Sequence, residues 1–188
     1  MKKKIILVFG DPNSINSEII FKSWNKLSGP LKKRIYLVGS YDLILSQFKK
    51  LNYKINCILV RDIYEKQNSK YLKIINIDIK FKKPFLISKK ESSKFIKQCL
   101  TYAHKLALGK NVGGLINCAV NKNLLSNENI GVTEFLSRKS KVKKDTEIMM
   151  IYNKRLSVVP ITTHINLKKV SSKISKSLIT NKVLKVRF

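Results

Sequence analysis

"KIILVFGDPNSINSEIIFKSWNKL", residues 4–27, passes from an apolar, β-branched run into a segment of helical periodicity. A short apolar run closed by turn residues fits a buried strand, so we read 4–10 as a strand and 16–27 as a helix. Between them, "GDPNSINSE" (10–18) reads as a Pro-containing turn with a Ser or Asn cap for the helix. A helix amino terminus there also offers free amides to an anion. The segment matches neither a Walker motif nor G-x-G-x-x-G, so no nucleotide site follows from it.

The same alternation continues outward. "RIYLVG" (34–39) and "INCILV" (55–60) read as strands, and "DLILSQFKKL" (42–51) between them as a helix. This βαβαβ order argues for a parallel sheet covered by helices. "ESSKFIKQCLTYAHKLALGK" (91–110) sets Phe95, Cys99, Tyr102 and Leu106 at helical spacing, with Gly109 as a stop signal. His104 lies in that helix without a nearby carboxylate or cysteine and reads as an ordinary helix residue.

Farther along come "GGLINCAV" (113–120), "NKNLLSN" (121–127) and "GVTEFLSRKS" (131–140), then two strand candidates, "TEIMMIY" (146–152) and "RLSVVPI" (155–161). The second ends at Thr162, Thr163 and His164, after which Asn166 can cap a helix starting at Leu167. The last stretch, 171–188, reads as an amphipathic helix that stops without a capping signal, as an interrupted chain would. We find no internal boundary in 1–188, no repeat and no Gly/Ser linker.

With 188 residues, 44% of them hydrophobic, the chain is long enough for one α/β domain with a real core. Its formal charge is +28, yet of 39 basic residues only Arg34, Arg61, Arg138, Arg155 and Arg187 are arginines, the side chains that read bases and phosphates bidentately. The lysines run over the whole length. A lysine-coated surface therefore stands ahead of a dedicated polyanion face, with nucleic-acid binding at most non-specific at low salt. Cys57, Cys99 and Cys118 are odd in number and show no CxxC spacing, which supports neither a zinc ribbon nor a disulfide framework and suits a reducing cytoplasm. The basic, apolar start is broken at Asp11-Pro12, too short for a signal peptide. No stretch reaches the ~18 continuous apolar residues of a membrane span.

Ligands of open α/β sheets gather at the carboxyl ends of strands. His164 falls at such an end, where a neutral imidazole can bind a divalent metal or serve as a hydrogen-bonded structural residue. Lys122, directly after a strand, can offer a point charge to a phosphate or belong to the general lysine surface. Thr133 can donate its hydroxyl to a ligand or cap a helix beginning at Glu134.

Together, "GDPNSINSE", "GGLINCAVNK", "GVTEFLS" and "VVPITTHINLKKV" resemble, in order and approximate spacing, the amino-terminal part of the 4-hydroxythreonine-4-phosphate dehydrogenase family. The resemblance implies an isopropylmalate-dehydrogenase-like α/β/α sheet fold, here truncated at the carboxyl end. It implies metal-dependent homodimers that oxidise 4-phosphooxy-L-threonine with NAD (or NADP) and decarboxylate it toward 3-amino-2-oxopropyl phosphate for pyridoxal phosphate synthesis. By it, His164 matches the first of three metal-binding histidines, the metal being zinc, magnesium or cobalt. Thr133 matches the threonine of the family's His-Thr-Glu-Phe-Leu substrate motif.

Departures accompany the matches. Val132 stands where the family has a substrate-binding histidine. In the first turn the family pattern Gly-Asp-Pro-x-Gly-Ile-Gly-Pro-Glu keeps Gly10, Asp11, Pro12, Ile15 and Glu18, but Ser14, Asn16 and Ser17 replace Gly, Gly and Pro, which weakens the case for close backbone approach there. The other two metal histidines and the NAD-binding segments belong to the family's carboxyl-terminal part. Two alternatives follow: a sister dehydrogenase for another four-carbon phosphorylated acid, or a degenerate, non-catalytic basic protein that binds nucleic acid or an intact subunit.

Overall fold

The computed structural model describes residues 3–65, 67–125, 131–140, 148–162 and 165–186. The chain forms two compact units, residues 1–139 and 140–188.

In the first unit, β1 (Lys4–Val8), β2 (Ile35–Gly39), β3 (Cys57–Val60), β4 (Leu72–Asn76) and β5 (Val112–Asn117) form one sheet in the order β3-β4-β2-β1-β5. Every pairing is parallel, with Ile6 opposite Tyr36 and Leu115, and Leu37 opposite Ile74. All five β2 residues are buried, as expected of a parallel strand covered on both faces. The helices are α1 (Asn16–Lys26), α2 (Gly29–Lys32), α3 (Tyr41–Lys50), α4 (Lys89–Ala107) and α5 (Val132–Lys139).

From β1 the chain moves through α1 and α3 to the edge strand β3, turns back to β4 between β3 and β2, and then crosses through α4 to reach β5 on the other side of β1. Parallel crossovers are right-handed, so the reversal puts α4 on the face opposite α1 and α3. There α4 packs on β1, β2 and β5 through Phe95, Ile96, Cys99, Leu100 and Ala103. Phe9 meets Phe95 edge to face at 6.4 Å between centroids, joining β1 to that helix. Ser88 opens α4 by accepting from Glu91 N, three residues before the expected start.

The end of α3 shows a local cause. Asn52 takes φ 57°, and Tyr53 N donates to Phe48 O while Asn52 N donates to Lys49 O. Both bonds satisfy the last carbonyls of the helix, and asparagine tolerates the left-handed conformation this requires.

The second unit holds the two-residue antiparallel pair β6 (Ile151–Tyr152) and β7 (Ser157–Val158), then α6 (Val170–Lys173) and α7 (Lys176–Lys185). The expected strands 146–152 and 155–161 are thus much shorter among the described residues. Asn166 accepts from Lys168 N at 3.0 Å, as its capping role requires, although the first turn it opens is 3-10.

β4 is absent from the reading of the sequence. Its run "LKIIN" carries Lys73 between Leu72 and Ile74, and Lys73 is completely buried. Its ammonium donates to the carbonyls of Lys32 (3.1 Å) and Lys33 (2.8 Å) at the end of α2 and lies 4.5 Å from the Tyr36 ring centre. Unpaired carbonyls at a helix end make such a burial tolerable.

Candidate active site

The loop after β1 is tied on two sides by asparagine side chains. Asn13 Nδ2 donates to Ile87 O at 2.8 Å, and Ile87 N returns a bond to Asn13 Oδ1 at 3.0 Å. Asn16 Nδ2 donates to Ala119 O (2.8 Å) and Phe9 O (2.9 Å), while Ala119 N donates to Asn16 Oδ1 at 3.1 Å. Asp11 N adds a further bond to Ala119 O at 2.9 Å. The carboxyl ends of β1 and β5 are thereby fastened together.

This arrangement corrects the reading of the turn. Neither a Ser nor an Asn caps α1: Ile15 occupies the cap position without a side-chain bond. Ser14 Oγ, one residue earlier, donates to Asp11 O at 2.7 Å and accepts from Asn16 N, the first amide of α1, at 3.3 Å, and Asp11 Oδ1 accepts from Asn13 N at 2.9 Å. Ser17 donates to Gln47 Oε1, and Gln47 Nε2 donates to Pro12 O and Pro84 O. Asn16, Ser17 and Gln47 are all buried. The three side chains that replace Gly, Gly and Pro are built into the loop's hydrogen bonding, so the departures come with their own partners.

Gly10 takes φ +80°, and a Cβ placed there would lie 2.6 Å from Ala119 O and 2.7 Å from Asn16 Nδ2. Only glycine accommodates both the conformation and the approach.

Two residues beyond Ala119, Asn121 accepts from Asn123 N and opens a 3-10 turn, Lys122–Leu124. Lys122 is exposed there. A Cβ on Gly131 would lie 2.7 Å from Glu134 Oε2 and 4.0 Å from Lys122 Cε, so Lys122 comes up against the start of α5. Thr133 is exposed in the first turn of that helix. Because α5 begins at Val132, with Phe135 N donating to Gly131 O, Thr133 does not cap a helix starting at Glu134. Its hydroxyl remains free of that duty. Val132 is half-buried and packs with Phe135 against the core.

His164 and Thr163 lie outside the described residues. His104 is a half-buried residue in the last turn of α4. Among the described residues no three His, Cys, Asp or Glu side chains assemble into a metal-binding group. No described helix is long and apolar enough to cross a membrane. Asn13 and Gln47, which frame the loop with Asn16, went unnoticed in the sequence because their partners are remote in it, and Asn16 was noted there only as a departure from the family pattern.

An open parallel α/β domain, with its loops gathered at the carboxyl ends of β1 and β5, is the scaffold of a ligand-binding enzyme domain. Solved 4-hydroxythreonine-4-phosphate dehydrogenases share this fold. The structure from Klebsiella pneumoniae superposes with a TM-score of 0.82 at 23% identity, covering 97% of this chain and 57% of its own. That from Burkholderia phymatum gives 0.82 at 19% identity, covering 98% and 57%. The family model for the pyridoxal phosphate biosynthetic protein PdxA matches residues 31–187, and the chain belongs to that family. Curated 4-hydroxythreonine-4-phosphate dehydrogenases from Sulfurihydrogenibium sp. (strain YO3AOP1) and Aquifex aeolicus (strain VF5) are 32% and 31% identical to it, over 96% and 100% of this chain. The chain spans only 55% and 58% of their lengths.

Proposed function

We propose that this chain acts in NAD-dependent oxidation and decarboxylation of 4-phosphooxy-L-threonine, toward 3-amino-2-oxopropyl phosphate in pyridoxal phosphate biosynthesis. The observation that carries the reading is the meeting of Lys122, Gly131 and the first turn of α5 just beyond the β1–β5 junction. Lys122 supplies a positive charge for the substrate phosphate. Thr133 donates its hydroxyl to a substrate oxygen, and the asparagine-tied β1 loop holds that wall of the site in place. In the reaction the hydroxyl carbon loses hydride and its oxygen a proton, after which the carboxylate leaves as carbon dioxide.

A nicotinamide cofactor would supply a hydride acceptor, and a divalent metal (zinc, magnesium or cobalt) would supply Lewis acidity, when bound. His164 is the ligand this chain offers to the metal. The described residues contain no complete donor set for it. Membership of the family supports a homodimer of cytoplasmic enzyme subunits as part of this reading.

The test pairs turnover with binding. NADH formation from 4-phosphooxy-L-threonine, or saturable stabilisation of the chain by that compound, is the expected result. Absence of both overturns the proposal. A second reading, a sister dehydrogenase for another four-carbon phosphorylated acid, is favoured by Val132, which presents an apolar side chain where the family motif has a histidine. Preferential turnover or binding of the alternative acid decides for it.

A further inference from the structure

The lysines are not equivalent once the chain is folded. Along one side of α4, Lys94, Lys97 and Lys105 line an open groove of about 770 Å³, closed on its other side by residues 76–78 at the end of β4. Gln98, Thr101 and Tyr102 fill the floor and rim between them. These positions share one helical face because they recur at three- and four-residue intervals. The opposite face of α4 enters the core, and Tyr102, half-buried at the border, packs against the core while lining the groove.

The groove's charge is positive and unspent. Asp78 is its one acidic lining residue, and its carboxylate already accepts from Asn76 Nδ2. A smaller adjoining hollow of about 200 Å³ shares Asp78 and Lys94 and adds Lys80 and Glu91, leaving the sum of charges positive. Among the described residues none of the three groove lysines forms an ion pair.

The distribution of the charge selects the ligand. At 1.5 Å per residue, Lys94 and Lys97 are about 4.5 Å apart along the helix axis and Lys105 lies about 12 Å beyond. A single phosphate would need the ammonium groups to converge. A chain of phosphates needs them spread out, as they are along this row of about 16 Å. Single-strand binders combine such a row with an aromatic side chain on which a base can stack, a place Tyr102 fills. Amide and hydroxyl groups of Gln98 and Thr101 add sequence-tolerant hydrogen bonds.

We propose that the α4 groove binds a short segment of single-stranded nucleic acid along Lys94, Lys97 and Lys105, with Tyr102 as its stacking platform. The groove shares no lining residue with the Lys122–Thr133 region, although α4 also packs against the Lys122–Leu124 turn and α5, and the proposal does not depend on the dehydrogenase reading. The field of the whole chain, +28 in formal charge, speeds the approach of any polyanion, while the groove fixes where it settles.

The test uses the full chain and a fluorescent, unstructured oligonucleotide, with anisotropy read at several salt concentrations. Lys94→Gln, Lys97→Gln and Lys105→Gln are combined in one variant. Lys26→Gln, Lys49→Gln and Lys50→Gln, exposed on α1 and α3, form a control with the same charge loss. Three phosphate contacts contribute a salt slope of about −2, equal to roughly fifteen-fold in affinity over a fourfold rise in salt. The expected result is that the groove variant loses that slope and binds at least tenfold more weakly at low salt, while the control stays within twofold. Tyr102→Leu then weakens binding without changing the slope. Equal losses in both triple variants, or no binding by the unaltered chain, overturn the proposal. Competition by inorganic triphosphate at the same concentration of phosphate as the oligonucleotide also overturns it, by assigning the groove to small anions.

Discussion

Asn16 and Ala119 stand 103 residues apart and exchange two hydrogen bonds, Nδ2 to O at 2.8 Å and N to Oδ1 at 3.1 Å. Asn13 makes the same exchange with Ile87, 74 residues away. The loop after β1 is therefore held by side-chain amides that imitate strand pairing, one toward β5 and one toward the start of α4. A side-chain amide can do this because it carries both a donor and an acceptor, as a peptide group does.

Replacing Asn16 tests this fastening. Asn16→Ala leaves the Ala119 amide without its acceptor and is expected to cost about 1–3 kcal/mol, the usual penalty for a buried unpaired group. Asn16→Asp should cost more, since a buried carboxylate would face the carbonyl oxygens of Phe9 and Ala119. Urea unfolding of the three proteins checks the order; an aspartate variant as stable as the unaltered chain would contradict the assignment.

Gly10 makes that junction possible. Gly10→Ala meets both a φ of +80° and a backbone oxygen 2.6 Å away, and a backbone oxygen cannot swing aside. Strain of this kind costs about 1–3 kcal/mol before the displaced contact is counted. The expected outcome is a lowered melting temperature and loss of saturable 4-phosphooxy-L-threonine binding together, measured by thermal shift with and without the compound.

Much of the sheet was legible because Ile5 to Val8, Ile35 to Val38 and Cys57 to Val60 are short apolar runs, and the helices between them keep a 3.6-residue period. β4 was not, since the buried Lys73 makes its run look polar, and what tolerates that lysine is a pair of carbonyls some 40 residues earlier. The site divides in the same way. Thr133, Val132 and His164 were found as parts of a motif, but the approach of Lys122 to Gly131 is a property of the folded chain. Asn13 and Asn16 look like turn formers from sequence, because nothing local points to Ile87 or Ala119. The groove lysines were indistinguishable from the rest until α4 met residues 76–78.

Lys73 predicts a pH dependence. Burial, with a smaller contribution from the charge of Lys4, pulls its pKa from 10.5 to about 8. Between these values the unfolded chain binds more protons than the folded one, so stability rises with pH across that window and is flat below it. From pH 8 to 9.5 the rise should reach about 2 kcal/mol. Lys73→Met should abolish it. Denaturant unfolding at pH 7, 8, 9 and 9.5 gives the two slopes, and the difference between them isolates Lys73 from Tyr36, whose pKa burial raises.

The cysteines should be inert in the folded chain. Burial pushes Cys57 up to about 12 and Cys118 up to about 11, and raises Cys99 as well. Thiolate is the reactive form, so at pH 8 only about one Cys118 in a thousand is ionised. A disulfide reagent should label no thiol rapidly at pH 8 and all three after unfolding in urea. As pH is raised, Cys118 should react first. Rapid labelling of Cys99 at pH 8 would mean that α4 does not pack on the sheet as described.

Val132 offers the sharpest test of the substrate. It is half-buried beside Phe135, and it stands one residue before the exposed Thr133. Val132→His places an imidazole next to that hydroxyl and restores the motif His-Thr-Glu-Phe-Leu. Some packing is lost, at an expected cost of about 1 kcal/mol. If 4-phosphooxy-L-threonine is the substrate, an added hydrogen bond to it should tighten binding about tenfold, from a net gain near 1.4 kcal/mol. Thr133→Val and Lys122→Met should each weaken it, and Lys122→Met should also reduce its salt dependence, because only the lysine acts through charge. Titration calorimetry with the compound and with a dephosphorylated analogue separates these effects: Lys122→Met should matter only for the phosphorylated form. If Val132→His leaves this affinity unchanged but weakens binding of a different four-carbon phosphorylated acid, Val132 is a specificity residue, and the sister dehydrogenase is the better description.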